Sequence, residues 1–189
     1  MNRQLAAIIQ DLEAAQDRLD RLADTTHSRT FSTRPEADSW SPAECIAHLN
    51  LSSRAILPVL RAGIAAARVR QGRTSHYRRD VVGWMISHLV ASWSAVKLKA
   101  AAEFVPAREH DVPRLLREFV ALQSELVDCV RQAEGLSIDR VMVTSPFDQR
   151  VSYNLYAALT LVARHQHRHL LQAERAVEAP LPLVSAFAL

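Results

Sequence analysis

The spacing of apolar residues along the chain predicts a mainly helical protein. Over residues 2–24, apolar side chains recur every three or four positions, which is the period of one face of an α-helix. They are Leu5, Ile8, Ile9, Leu12, Ala15, Leu19 and Leu22. The same period follows Asp111 and Pro113, and this helix is expected to end at Gly135. Only four glycines occur in 189 residues, so we expect long helices joined by few loops.

The second predicted helix begins with a complete set of start signals. Ser41 is a favourable N-cap, Pro42 suits the first helical position, and Glu44 completes a capping box. The helix is expected to run to about Arg70. Pro58 lies in its interior and removes one backbone donor, so we expect a bend there.

The remaining segments are shorter or more polar. Residues 25–40 are expected to form a loop, and residues 77–100 a shorter helix followed by an irregular connection. Residues 136–151 form a predicted connector with a short extended piece, and residues 152–176 the last long helix. Four long helices and one short helix favour an all-α four-helix bundle.

Composition favours one domain over residues 1–189, with a C-terminal tail from about residue 178. The apolar share of 49% and the charged share of 23% are ordinary for a globular protein. The net charge of +3 includes no block of like charges, so a nucleic-acid partner is not expected. No apolar run approaches the length of a membrane span, and the first residues do not resemble a secretory signal. Two cysteines make no disulfide framework, and a cytoplasmic location is expected.

One local basic cluster surrounds Gly72 and allows two interpretations. It consists of Arg68, Arg70, Arg73, Arg78 and Arg79. A solvated helix end explains it, and so does a site for an anionic ligand or partner.

The segment "ARHQHRHLLQAER", residues 163–175, contains three histidines in five positions. His165 and His169 lie one helical turn apart on one face, and Gln172 follows on the same stripe. His167 points to nearly the opposite side and is expected to be exposed with the neighbouring arginines, Arg164 and Arg168. The pair of interest is therefore His165 and His169.

A third histidine, His48, lies in the second predicted helix with apolar neighbours at helical spacing. If its side chain faces the bundle interior, it can meet the pair from the last helix. Neutral imidazoles are common ligands of zinc and nickel, and a set of three leaves a position open for water or substrate. A hydrogen-bonded core histidine and a basic surface helix are the alternatives that the residues alone leave open.

Two sequence motifs, in their order along the chain, resemble motifs of the DinB/YfiT-like superfamily of metal-binding four-helix bundles. They are "SWSPAECIAHL" at residues 39–49 and "HQHRHLLQ" at residues 165–172, and residues 104–130 are similar to that family's third helix and its lead-in. The resemblance covers roughly residues 5–178.

The resemblance implies a ligand set for a divalent metal ion, with zinc or nickel as the first candidates. Carried over residue by residue, the ligands are His48, His165 and His169. This chain has Arg168 where the family often has a further histidine. Gln172 matches a recurrent glutamine, which is expected either to support a ligand or to pack in the bundle.

Several other residues near these motifs are weaker candidates. Glu44 is expected to cap its helix, but it can also orient His48 or act as an acid or base. Cys45 is expected to be a small buried side chain rather than a ligand, and Trp40 to pack at the start of the helix. Trp84, His88 and Trp93 are expected to pack in the core, with pocket lining as the alternative. His27, His76 and His110 are expected to be exposed to solvent.

Relatives with assigned activity imply a class of chemistry. They include S-transferases that use low-molecular-weight thiols such as bacillithiol or mycothiol, and a mycothiol-dependent isomerase. We therefore expect a metal-dependent enzyme that acts on a small-molecule substrate, with a thiol as a possible cosubstrate. A metal-dependent hydrolase with Glu44 as base, and a metal-binding or stress-response bundle without turnover, are the alternatives. The resemblance also allows a homodimer, and no membrane partner is expected.

Overall fold

The computed structural model describes residues 1–70, 72, 74–91 and 101–179. Four long helices account for most of this part of the chain, as the apolar period predicts. The helices are α1 (Arg3–Thr25), α2 (Ser28–Ser32), α3 (Pro42–Val69), α4 (Val81–Ala91), α5 (Val112–Gln132) and α6 (Leu155–Glu178). The two strands are β1 (Met142–Thr144) and β2 (Ser152–Asn154), and two short 3₁₀ helices cover Ala102–Phe104 and Ile138–Arg140. The predicted all-α bundle is confirmed.

Side-chain pairs give the relative directions of the long helices. Three pairs between α3 and α5 keep one sequence offset, so these two helices run parallel: Arg54 with Glu118, Arg61 with Glu125, and Arg68 with Gln132. In contrast, His48 contacts His165 while Gly63 contacts Leu155, so α3 and α6 run antiparallel.

The same reasoning makes α1 parallel to α6. Gln4 donates a hydrogen bond to the Tyr156 hydroxyl, and Arg18 donates to Glu174. Helix α4 lies in the connection between the parallel neighbours α3 and α5.

The predicted start of α3 is confirmed in detail. The backbone N–H of Glu44 donates to the Ser41 hydroxyl at 3.2 Å, and the Glu44 carboxylate accepts from the Ser41 N–H at 2.9 Å. The helix continues through Pro58. The predicted apolar stripe of α1 is buried in full and packs into the core.

Three boundaries differ from the predicted ones, each for a local reason. Residues 25–40 contain α2, whose buried Phe31 anchors one short turn of helix. The last helix begins at Leu155 rather than at residue 152, because residues 152–154 pair antiparallel with β1 and Asn154 caps the helix. Helix α5 ends at Gln132, and Gly135 follows in a turn with φ of 74°.

The orientation of α4 corrects the expectation of core packing. Gly83 faces α6 so closely that a Cβ there would lie 2.3 Å from the Cβ of Ala157. The small residues of α4 therefore face the bundle, and Trp84 on another face is 52% exposed. His88 is also exposed and packs on the Trp84 ring. Trp93 lies outside the described residues.

Within the described residues, none of the helices combines the length and the apolar character that a membrane span requires.

Candidate metal centre

Three imidazoles meet where α3 and α6 cross. His48 comes from α3, and His165 and His169 come from successive turns of α6. One nitrogen from each ring lies within 4.8 Å of the nitrogens of the other two. The Nε2 atoms of His48 and His165 are 3.3 Å apart. The antiparallel packing of two helices thus joins residues 117 positions apart in sequence.

The orientation of His48 is fixed by a backbone group from another segment. Its Nδ1 lies 2.8 Å from the carbonyl oxygen of Phe104, which belongs to the first 3₁₀ helix. A carbonyl only accepts, so Nδ1 carries the proton and donates. The lone pair of the neutral ring is therefore on Nε2, the atom that faces His165. The side chain is 6% exposed, so this orientation is held inside the bundle.

His169 has a comparable support from its own helix. Its Nδ1 lies 3.1 Å from Oε1 of Gln172, three residues further along α6. With Nδ1–H as donor, Nε2 of His169 is available to the site. Gln172 therefore supports a site histidine, which is one of the two roles that the sequence suggests.

Burial keeps all three rings neutral at physiological pH. It is the largest effect on the pKa of His165, which falls from 6.5 to about 3 with further contributions from His48 and the charge of Arg168. The pKa of His169 is lowered well below 6.5, again mainly by burial, and the pKa of His48 is lowered by burial despite its bond to Phe104. A neutral imidazole is the form that binds a metal ion.

The donor set fits a divalent transition-metal ion. Two imidazole nitrogens bound to zinc at about 2.0–2.1 Å, with a tetrahedral angle between them, lie about 3.3 Å apart. The distance between the His48 and His165 Nε2 atoms is 3.3 Å. Three uncharged nitrogen donors suit zinc and nickel and leave at least one coordination position open. These three residues could therefore hold such an ion.

Aromatic rings surround the three histidines. Trp40 packs at the start of α3, as expected, and its ring also lies 5.0 Å from that of His48 and 6.0 Å from that of His169. Phe147, in the turn between β1 and β2, lies 6.3 Å from the His165 ring and 4.9 Å from that of Phe104. Sequence reasoning missed Phe104 and Phe147, because they lie in connections without any periodic pattern.

Glu44 is fully engaged in structural contacts. Its carboxylate is 1% exposed, accepts hydrogen bonds from Arg34 on both oxygens, and also accepts from the Ser41 N–H. Burial raises the pKa of Glu44, but the hydrogen bonds and charge of Arg34 and the bonds from Ser41 outweigh it, and the pKa is lowered. The geometry supports capping rather than acid–base chemistry.

Cys45 is a buried side chain of the core, as expected. Burial, with a smaller contribution from the charge of Glu44, raises the pKa of its thiol. The thiol therefore stays protonated, and the group of three possible ligands does not include it.

His167 differs from the expectation of exposure. It is half-buried, its Nδ1 accepts a hydrogen bond from Arg18, and its Nε2–H donates to the carbonyl of Asp11 at 2.9 Å. Arg164 and Arg168 are also half-buried, and Arg164 donates to the carbonyl of Ser87. The flanking helices α1 and α4 cover these faces of α6, which the histidine pattern alone does not reveal.

The remaining histidines lie apart from this group. His27 and His76 are exposed, as expected. His110 is half-buried, and its Nε2 lies 2.7 Å from the carbonyl of Ala107.

The basic cluster borders a shallow cavity of about 300 Å³. Arg68 and Arg70 line it together with Glu134, whose negative charge offsets one of their two positive charges. Arg68 also donates to Gln132 across the helices. These contacts favour the interpretation as a solvated helix end; Arg73 lies outside the described residues.

Fold and site together define a helical bundle with a histidine site that could hold a metal ion. A family model described as the DinB superfamily matches residues 11–173. The chain therefore belongs to the DinB superfamily. No curated protein and no solved structure shows a significant match to it.

Proposed function

We propose that the protein binds one divalent metal ion, zinc or nickel, through the Nε2 atoms of His48, His165 and His169. We further propose that it uses this ion to transfer a low-molecular-weight thiol onto a small electrophilic substrate. The observation that carries the proposal is the convergence of three neutral imidazoles, two of which are oriented by hydrogen bonds at Nδ1. Three ligands from the protein are typical of catalytic zinc sites, whereas structural sites use four.

The proposed reaction follows from the charge of the site. Three neutral ligands leave the double positive charge of the ion uncompensated, so a bound thiol would lose its proton near neutral pH. The thiol sulfur would form a bond to the electrophilic carbon, the leaving group would depart with its electron pair, and the thiol proton would pass to solvent. The carbonyl of Phe104 and the amide of Gln172 keep the imidazoles aligned during this exchange.

Hydrolysis is the second candidate, and the contacts of Glu44 argue against it. The hydrolase considered above would use Glu44 as the base that takes a proton from the attacking water. Glu44 is the carboxylate that the helix-start motif supplies, and Arg34 and Ser41 occupy it. A thiol with a lowered pKa needs no such base at neutral pH.

Metal content tests the first half of the proposal. Tag-free protein is loaded with zinc or nickel and freed of excess ion. Its metal content per chain is then measured by elemental mass spectrometry. We expect about one ion per chain in the wild type and a loss of binding in His48→Ala, His165→Ala and His169→Ala. His76→Ala removes an exposed histidine and serves as the matched control. Wild-type stoichiometry and affinity in His48→Ala would contradict the ligand set.

A thiol scan tests the second half. The loaded protein is incubated with bacillithiol, mycothiol, glutathione or cysteine and an electrophile such as monobromobimane, and the thioether is quantified. We expect thiol-dependent product in the wild type and in His76→Ala, but none above background in His165→Ala. Turnover without any thiol would favour hydrolysis. An ion that raises only the melting temperature would indicate a binding or structural role.

A further inference from the structure

Three segments outside the ligand helices bring aromatic rings to the histidines. Trp40 precedes α3, Phe104 ends the first 3₁₀ helix, and Phe147 lies in the turn between β1 and β2. We call these three residues the aromatic wall. The Trp40 ring stacks on His169 with an angle of 28° between the planes, and Phe104 meets Phe147 edge to face. Segments far apart in sequence thus converge on one place.

Phe147 is the member of the wall with the most surface left for a ligand. It is 39% exposed, although its ring lies beside His165 and Phe104. An exposed phenyl ring next to a polar site contributes little to folding, because much of its apolar surface stays in water. A ligand that covers the ring would remove this surface from water.

The turn that carries Phe147 is held by its own hydrogen bonds. The Phe147 N–H donates to the Ser145 hydroxyl, and the Ser145 N–H donates to the carbonyl of Val151 at 2.8 Å. The Val151 N–H in turn donates to the backbone carbonyl of Asp148, and the Asp148 carboxylate accepts from the Arg150 N–H. The ring is therefore presented in a defined position and need not be ordered when a ligand arrives.

We infer that the aromatic wall is a substrate subsite and that the substrate carries an apolar, planar group beside the atom that reaches the metal. This inference rests on the proposed function, since it assumes an ion between the histidines. Contact of two aromatic rings is worth about 0.5–1.5 kcal/mol beyond area burial, or about two- to ten-fold in affinity. The wall thus selects ligands by their apolar part, and the histidines bind their polar end through the ion.

The test uses two hydroxamates that have the same metal-binding group. One carries a phenyl group and the other a methyl group. Cobalt-loaded protein is titrated with benzohydroxamate and with acetohydroxamate, and binding is followed by the visible absorption of cobalt. The ratio of the two affinities is compared with the ratio for free cobalt in the same buffer. We expect the protein to favour benzohydroxamate about ten-fold more than free cobalt does.

Phe147→Ala should lower this preference about three- to ten-fold and leave the affinity for acetohydroxamate within about two-fold. Met142→Ala is the matched control, since Met142 is 57% exposed on the same two-stranded ribbon. A preference equal to that of free cobalt, or one that Phe147→Ala leaves unchanged, would overturn the inference while the proposed metal site stands. Failure to bind cobalt at all would refute the proposed function and the subsite with it.

Discussion

Lowering the pH should destabilise the metal-free protein through the three histidines of the site. In the folded chain the pKa of His165 is about 3, against a usual value of 6.5. Below pH 6.5 the unfolded chain therefore binds a proton at this residue that the folded chain does not bind. The stability that His165 contributes is present above pH 6.5 and is lost progressively as the pH falls toward 3.

The magnitude follows from this difference in proton binding. One proton bound only by the unfolded state lowers the free energy of unfolding by about 1.4 kcal/mol per pH unit. Between pH 7 and pH 5, His165 alone should cost about 2 kcal/mol, since protonation begins near pH 6.5. The lowered pKa values of His48 and His169 add in the same direction. This loss is large compared with the free energy of unfolding of an ordinary domain, which is roughly 5–15 kcal/mol.

Urea unfolding of chelator-treated protein, followed by circular dichroism at several pH values, measures the effect. His165→Gln keeps a neutral polar side chain and cannot be protonated, so its stability should fall less steeply between pH 7 and pH 5. The control His76→Gln changes an exposed histidine and should keep the wild-type slope. Equal slopes for His165→Gln and the wild type would refute the assignment of a neutral, buried His165.

Three further perturbations have expected outcomes. Zinc at about 100 times its dissociation constant should stabilise the protein by about 2.7 kcal/mol and raise the melting temperature by about 5–10 °C in a thermal scan, but not in His48→Ala. Gln172→Ala removes the acceptor of His169 Nδ1–H and should weaken zinc binding about ten-fold in a competition titration. Gly83→Ala places a Cβ 2.3 Å from that of Ala157, so α4 must shift, and the free energy of unfolding in urea should fall by about 1–3 kcal/mol.

Each of these outcomes has a result that would contradict it. Equal stabilisation of His48→Ala by zinc would place the ion elsewhere. Gln132→Ala alters a surface glutamine that pairs with Arg68 and should leave zinc affinity unchanged. A Gln172→Ala protein with wild-type affinity would show that Gln172 does not support the site. Wild-type stability in Gly83→Ala would contradict the close approach of α4 to α6.

The long helices were predictable because their signals are local and repeated. The apolar stripe of α1 runs along a helix of 23 residues, and the capping pair Ser41 and Glu44 marks the first turn of α3. Short elements carry too few residues for a periodic signal. The sequence of residues 152–154 is compatible with a helix, but these residues form a strand because they pair with β1. The expectation that Trp84 packs in the core was wrong because α4 carries apolar residues on several of its faces. The close contact of Gly83 with α6 buries the face of Gly83 and leaves Trp84 exposed.

The resemblance to a metal-binding family made the three histidines predictable as a set, but their surroundings were not predictable. His165 and His169 share a helix face, and His48 lies on a buried helix, so their meeting requires only that the two helices pack antiparallel. Phe104 and Phe147 reach the site from connections whose course depends on tertiary structure. Their positions have no counterpart in the spacing of residues along the chain.

As purely structural side chains, these three rings would carry a cost in acid. The neutral Nε2 of His48 faces another imidazole nitrogen at 3.3 Å, and burial opposes protonation of all three rings. Apolar side chains of similar size would fill the same space without this cost in acid. Hydrogen bonds to Phe104 and Gln172 nevertheless direct nitrogen atoms toward one point. A cation at that point would bind all three nitrogens, and this gain would account for polar side chains in a place that apolar ones could fill.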